Sequence, residues 1–222
     1  MRQMRGVFFL AGAAVAAITG FGAVTQATSA VAVDGKLDER AWKDAQWERQ
    51  FRRLAIHESM GAFSRPTEFA IVHDGRTLYV GVRCRETDFS RMTPPRDVGL
   101  WGCPDTVEFF FSPSGSRKSG YHVIVNSEGS IATLPWVAKG QSATEGKAWN
   151  PEIRTDIRKE KDRWTCEIAV PLSSIGPIAP SMPVNFCRSR ILKTPGTYHQ
   201  LFISSPLARK FWDSDGYAVI EL

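Results

Sequence analysis

The stretch "TEFAIVHDGRTLYVGVRCRE", residues 67–86, constrains this chain more than any other. Two runs of alternating β-branched and aromatic residues flank Asp74-Gly75. An Asp-Gly pair supplies the backbone twist of a tight hairpin turn, and a period of two puts one side of each run into a core. The stretch therefore predicts a β-hairpin with a buried face. The pattern recurs. "DTVEFFFSP" reads as a strand ended by the Ser, Gly and Pro of "SPSGSRKSG". "GYHVIVNSEGSIATL" reads as a strand, a turn near 127–129 and a short strand, and "EIRTDIRKEKDRWTCEIAVPL" as a second hairpin turning at Lys161-Asp162. "PVNFCRSRIL", "YHQLFIS" and "YAVIEL" supply three more strands, while "PWVAKGQSATEGKAWNP" has no period at all. A helical pattern occurs only in "VDGKLDERAWKDA". There a short strand and a turn at Asp34-Gly35 precede one or two helical turns, with Asp38 as N-cap and Ala41, Trp42 and Ala45 on the buried side. Short strands at close spacing with almost no helix predict an all-β fold: an antiparallel β-sandwich of jelly-roll or immunoglobulin-like type, with one short N-terminal helix.

The first residues follow another logic. "MRQMR", the apolar "GVFFLAGAAVAAITGFGAV" and the small-residue run "TQATSA" have the order of a secretory signal peptide. The division expected is a signal peptide over residues 1–30 and one domain over 31–222, exported to the periplasm or beyond the cell, with no membrane span once the signal is cleaved. Arg2 and Arg5 leave with it, taking the formal net charge from +5 to +3. That is too little for an argument toward nucleic acid, and the basic stretch at 153–163 is interleaved with acids as a solvated hairpin is. Cys84, Cys103, Cys166 and Cys187 enter a compartment that permits disulfides, and their three full pairings stay open. Cys84 and Cys166 alternate with apolar neighbours, as buried thiols do.

No catalytic constellation stands out. Glycosidases need two carboxyls about 5–9 Å apart, but Asp105 and Glu108 point to opposite faces of one strand. Val107, Phe109 and Phe111 share a face with Asp105, and Thr106 and Phe110 share one with Glu108. Glu167 and Asp213 have nothing in the sequence to bring them near. The four histidines are isolated, and neither a nucleophile elbow nor a phosphate loop is present. Binding suits the same residues better. A sugar ring stacks its C–H face on an indole, and a carboxylate or carboxamide orients its hydroxyls. The Gly102-Cys103-Pro104 break lets Trp101 fold back over the strand that carries Glu108.

"VDGKLDERAWKDA", "LYVGVRCRETD", "LWGCPDTVEFFFSP", "YHVIVNSEG", "RWTCEIAVPLSSIG", "VNFCRSR" and the last Trp before "GYAVIEL" follow one another as in family 9 carbohydrate-binding modules, which the chain past residue 30 resembles throughout. The resemblance implies a non-catalytic β-sandwich that captures a glycan, serves polysaccharide catabolism, works alongside glycoside hydrolases and often holds calcium. By position it implies an aromatic clamp of Trp101 and Trp212, a hydroxyl-gripping Glu108 and a strand asparagine at Asn126. It assigns no catalytic residue. Two positions depart from the family pattern: Ile124 stands where an arginine is expected, and Arg209 where an asparagine is. Trp42 and Trp164 read as core, and Asn126, before Ser-Glu-Gly, also suits a turn-organising role. Trp136 and Trp149 are candidates for the wall of a site, and Asp213 and Asp215 for calcium.

Two readings of other classes accompany this one. Related sandwiches hold haem between a methionine, for which Met60, Met92 and Met182 are available, and a second axial ligand, which a histidine or lysine would supply. A structural module docking to an exported complex would instead carry a large exposed apolar patch.

Overall fold

Asp74-Gly75 makes the turn that the alternation predicts. In the computed structural model, which describes residues 20–54, 66–91, 105–138, 149, 151–194 and 196–222, Gly75 takes a φ of +84°. The Asp74 carboxylate accepts from the amides of Arg76 and Thr77 and from the Tyr79 hydroxyl. The turn joins the second and third of the strands that follow the only α-helix described.

In chain order the elements are β1 (Gly20–Ala23), β2 (Thr25–Gln26), α1 (Arg40–Asp44), β3 (Arg52–Arg53), β4 (Thr67–His73), β5 (Thr77–Arg85), β6 (Asp105–Phe111), β7 (Ser119–Asn126), β8 (Ile131–Val137), β9 (Arg154–Lys159), β10 (Arg163–Pro171), β11 (Ser181–Thr194), β12 (Gly196–Ile203) and β13 (Ala218–Glu221). Among the described residues they form two packed sheets. One has eight strands in the order β1-β13-β11-β6-β7-β8, with β12 on β11 and β3 on β12; the other has five, in the order β2-β4-β5-β10-β9. All pairings are antiparallel except two at the N-terminus: β1 runs parallel to β13 and β2 parallel to β4. Residues 20–26, placed by their composition in the signal peptide, are therefore paired with both sheets.

Alternation explains the core. Val107, Phe109 and Phe111 of β6 face Val123 and Val125 of β7, Val184 and Phe186 of β11, and the inner sides of β4, β5 and β10. Phe69, Phe186, Phe109 and Phe111 stack in sequence, with centroids 3.6, 4.5 and 4.6 Å apart. Trp42 and Trp164 are buried, as expected. Each sheet also has a covered outer face. Val31, Leu37, Ala41 and Trp42 lie on Ala70, Val72, Tyr79 and Ala169 of the five-stranded sheet. Leu54, Ala208, Phe211 and Tyr217 lie on Phe110, Cys187 and Ile203 of the eight-stranded one.

Two local expectations change. The N-cap of α1 is Glu39, not Asp38, and it makes no side-chain cap bond; its carboxylate accepts from the Ala32 amide instead. Residues 31–33 form no strand, and the turn that follows them is held by Glu167 of β10, which accepts from the amides of Asp34 and Gly35. Conversely, β8 runs on through Pro135 and Trp136, which the sequence leaves irregular. As the outermost strand of its sheet it tolerates a proline, which cannot donate to a ladder.

Candidate functional site

The outer face of the eight-stranded sheet carries Thr106, Glu108 and Phe110 from β6. Their register neighbours are Asn126, Ile124 and His122 from β7, and Ser189, Cys187 and Asn185 from β11. Asp105 points to the opposite, inner face, where Arg188 and Trp164 take its oxygens. The two carboxylates of β6 thus diverge as the pleat requires. Glu108 is 4 % exposed, and its Oε2 lies 2.9 Å from Nε2 of the fully buried His122. The imidazole stacks on Phe110 at a centroid distance of 3.8 Å.

Above this layer stands Trp212. Its indole meets Phe110 edge-on at 4.9 Å and His122 edge-on at 5.1 Å, and the residue remains 48 % exposed. Glu108 and Trp212, far apart in the chain, are therefore joined through one histidine. His122 escapes the sequence because a lone histidine in a strand looks structural. Its signal is its place in the alternation His122, Ile124, Asn126, on the face opposite Val123 and Val125.

The loop presenting Trp212 is held from several sides. The Phe211 carbonyl accepts from Nδ2 of the buried Asn185 and from the Tyr217 hydroxyl. Arg117, in the loop between β6 and β7, takes a φ of +54°, which an L-residue adopts at a cost. From there its Nη1 donates to the carbonyls of Ser214, Asp215 and Tyr217 at 2.8, 3.2 and 2.8 Å, and Ser214 Oγ donates back to the Arg117 carbonyl. On the other side of Trp212, Asp213 accepts from the backbone amide and Nε of Arg209. That hydrogen-bonded guanidinium holds the Asp213 carboxyl below its ordinary range. Arg209 thus closes the turn around Trp212. Its partner Asp213 is committed to that ion pair, and among the described residues no group of three His, Cys, Asp or Glu side chains is placed to hold a metal ion.

The remaining candidates separate. Asn126 is on the same face as Glu108, but its Oδ1 accepts from the amides of Glu128 and Ser130, so the turn-organising role is the one observed. Ile124 is buried beside Glu108 as an apolar register neighbour. Trp101 lies outside the described residues. Trp136 packs against Tyr217 across Gly120, where a Cβ would meet the indole at 2.8 Å, so it belongs to the support of the Trp212 loop. Trp149 instead packs against Tyr121 and Phe111, with its N–H on the Ser174 carbonyl. For haem ligation, Met182 is fully buried between the sheets, while Met60 and Met92 lie outside the described residues. Cys84, Cys166 and Cys187 are buried free thiols, with Cys166 pushed up to about 12 by burial. No helix among the described residues is long and apolar enough to cross a membrane.

No family model matches the chain, and no curated protein does. Solved structures do. A family 9 carbohydrate-binding module from Caldicellulosiruptor kristjanssonii in complex with cellotriose superposes with a TM-score of 0.62 at 15 % identity, over 90 % of this chain and 93 % of that one. The same kind of module from that organism, in complex with glucose, gives 0.62 at 14 % identity, over 90 % and 94 %. A candidate carbohydrate-binding protein from Bacteroides uniformis gives 0.66 at 15 % identity, over 91 % and 99 %. The chain thus has the β-sandwich fold of family 9 carbohydrate-binding modules, as its sequence motifs suggest.

Proposed function

We propose that this chain is an exported, non-catalytic module that captures a glycan on the outer face of its eight-stranded sheet. The observation that carries the reading is the half-exposed Trp212 indole, braced edge-on by Phe110 and by the His122 ring that meets the Glu108 carboxylate. An indole fixed in place loses little freedom when a sugar ring stacks on it, and a rigid aromatic platform is the main source of area in such a site. Leu207, 64 % exposed on the same loop, extends the apolar surface. Neighbours of the same fold, in complex with cellotriose and glucose, support the ligand class. Trp101 is the proposed second wall of the clamp. Glu108 and Asn126 are the proposed polar partners, with His122 fixing the carboxylate. Work beside glycoside hydrolases in polysaccharide catabolism is proposed with it.

The test is calorimetry of the purified domain against mono- and oligosaccharides, with and without calcium. Saturable binding is expected. Trp212→Ala should lower affinity at least about tenfold while the domain stays folded, its melting temperature falling only by what the indole's edge contacts to Phe110 and His122 contribute. Trp101→Ala should do likewise. No binding across the panel, or full affinity in Trp212→Ala, defeats the reading.

A further inference from the structure

We infer that the signal peptide is cut upstream of Gly20, after Ala16 in Ala14-Val15-Ala16, so that residues 20–30 stay with the domain. Composition alone places the cut after Ala30, at the end of "TQATSA". The fold assigns those residues a structural role. β1 pairs with β13 of one sheet, the chain crosses over at Val24, and β2 pairs with β4 of the other. The Val24 amide donates to the Glu221 carbonyl and the Ala27 amide to the His73 carbonyl, both at 2.7 Å. Phe21 stands edge-on to Phe69 at 5.3 Å, and Phe21 and Val24 both pack on the core between the sheets.

Loss of residues 20–30 would strip β13 and β4 of these partners at one stroke. The edges would pass from the four-residue β1 and two-residue β2 to β13 and the seven-residue β4, and very short edge strands are one way folded proteins blunt pairing with other chains. Phe21 also forms a shared wall of two clefts of about 390 and 540 Å³. Its loss would remove that wall beside the buried Phe69, Ile71 and Ile220, which line the smaller cleft.

A cut upstream also suits the leader. After the basic start, residues 6–13 form an eight-residue apolar core, within the usual range of about 7–15, and Ala14 and Ala16 put small side chains at the two positions a leader peptidase reads. Hydrolysis there adds water across the Ala16–Ala17 peptide bond. Ala16 leaves with the new carboxylate, and Ala17 keeps the new amine.

The full chain, expressed with its own leader in a bacterial host and recovered after export, should show by intact mass an N-terminus at Ala17. A start at residues 18–20 also keeps both strands and supports the inference. A start anywhere from 21 to 31, or an uncut chain, overturns it. Two leaderless chains, starting at residues 17 and 31, separate the structural premise from the processing. The shorter should melt lower by about 5 °C or more, or aggregate; equal melting temperatures overturn the premise.

Discussion

Trp212 and Glu108 touch the same histidine but contribute differently. Trp212 is half in water, so its removal costs affinity. Glu108 is buried, and its loss leaves the His122 imidazole without that partner in an apolar layer, next to Phe110. An orphaned buried polar group costs about 1–3 kcal/mol. Glu108→Ala should therefore lower both stability, in a urea melt, and glycan affinity; a variant that binds weakly but melts as the wild type does would detach Glu108 from His122. Arg117 acts at one remove. Its guanidinium serves three carbonyls of the Trp212 loop, and hydrogen bonds from a charged donor contribute about 1.5–3 kcal/mol net. Arg117→Ala should destabilise the domain by roughly that much and also weaken glycan binding, with partial rescue by Arg117→Lys. Unchanged affinity at reduced stability would make Arg117 a fold residue with no part in presenting the indole.

At the scale of elements, α1 is too short to hold itself and is fastened by Glu167 of β10. That carboxylate accepts from the amides of Asp34 and Gly35 at 2.8 and 2.7 Å and from the Trp42 indole at 2.7 Å. Burial raises its pKa above the ordinary 4.5, against the pull of those three donors. An acid whose pKa is raised on folding binds its proton more tightly in the native state, so its contribution to stability falls as the pH climbs from its unfolded pKa through the folded one. Stability curves of the wild type and Glu167→Gln, taken by denaturant at a series of pH values, should diverge just above pH 4.5, with only the wild type losing stability there. Parallel curves would mean that Glu167 titrates as it does in the unfolded chain. Glu167 also marks where the sequence stops being legible. The strands, the Asp74-Gly75 turn and the two faces of β6 follow from local alternation, which any reader of residues 67–86 and 105–111 can see. The fastening of α1, the Glu108–His122 pair and the grip of Arg117 link residues 125, 14 and about 100 positions apart. Local periodicity carries no information about such partners. The strands β1 and β2 are hidden for another reason: small and apolar residues suit a signal peptide and a sheet edge equally well.

Over the whole molecule, the two sheets are joined by more than their aromatic core. Arg188 of β11 and Asp105 of β6 face inward, fully buried, and form a two-pronged pair with Nε–Oδ1 at 2.8 Å and Nη2–Oδ2 at 2.6 Å. The pair reaches across to the five-stranded sheet. Arg188 donates to Thr67 Oγ1 of β4 and to the Arg85 carbonyl of β5, and the Trp164 indole of β10 donates to Asp105. Burial alone would lower the Arg188 pKa; Asp105 and the nearby Glu86 reverse that and raise it, so the guanidinium stays charged. Breaking such a pair on one side leaves a bare charge in the interior, at a cost of about 3–5 kcal/mol. Arg188→Met should lose that much in a urea titration. Replacing both partners removes the bare charge, so Asp105→Leu with Arg188→Met should be milder than the sum of the two single changes by about 2 kcal/mol or more. Recovery should still be incomplete, because the Trp164 N–H then loses its acceptor in a dry core, which costs about 1–3 kcal/mol. Additive single changes would mean that Arg188 and Asp105 are each satisfied by other neighbours, and that the stacked phenylalanines alone hold the sheets together.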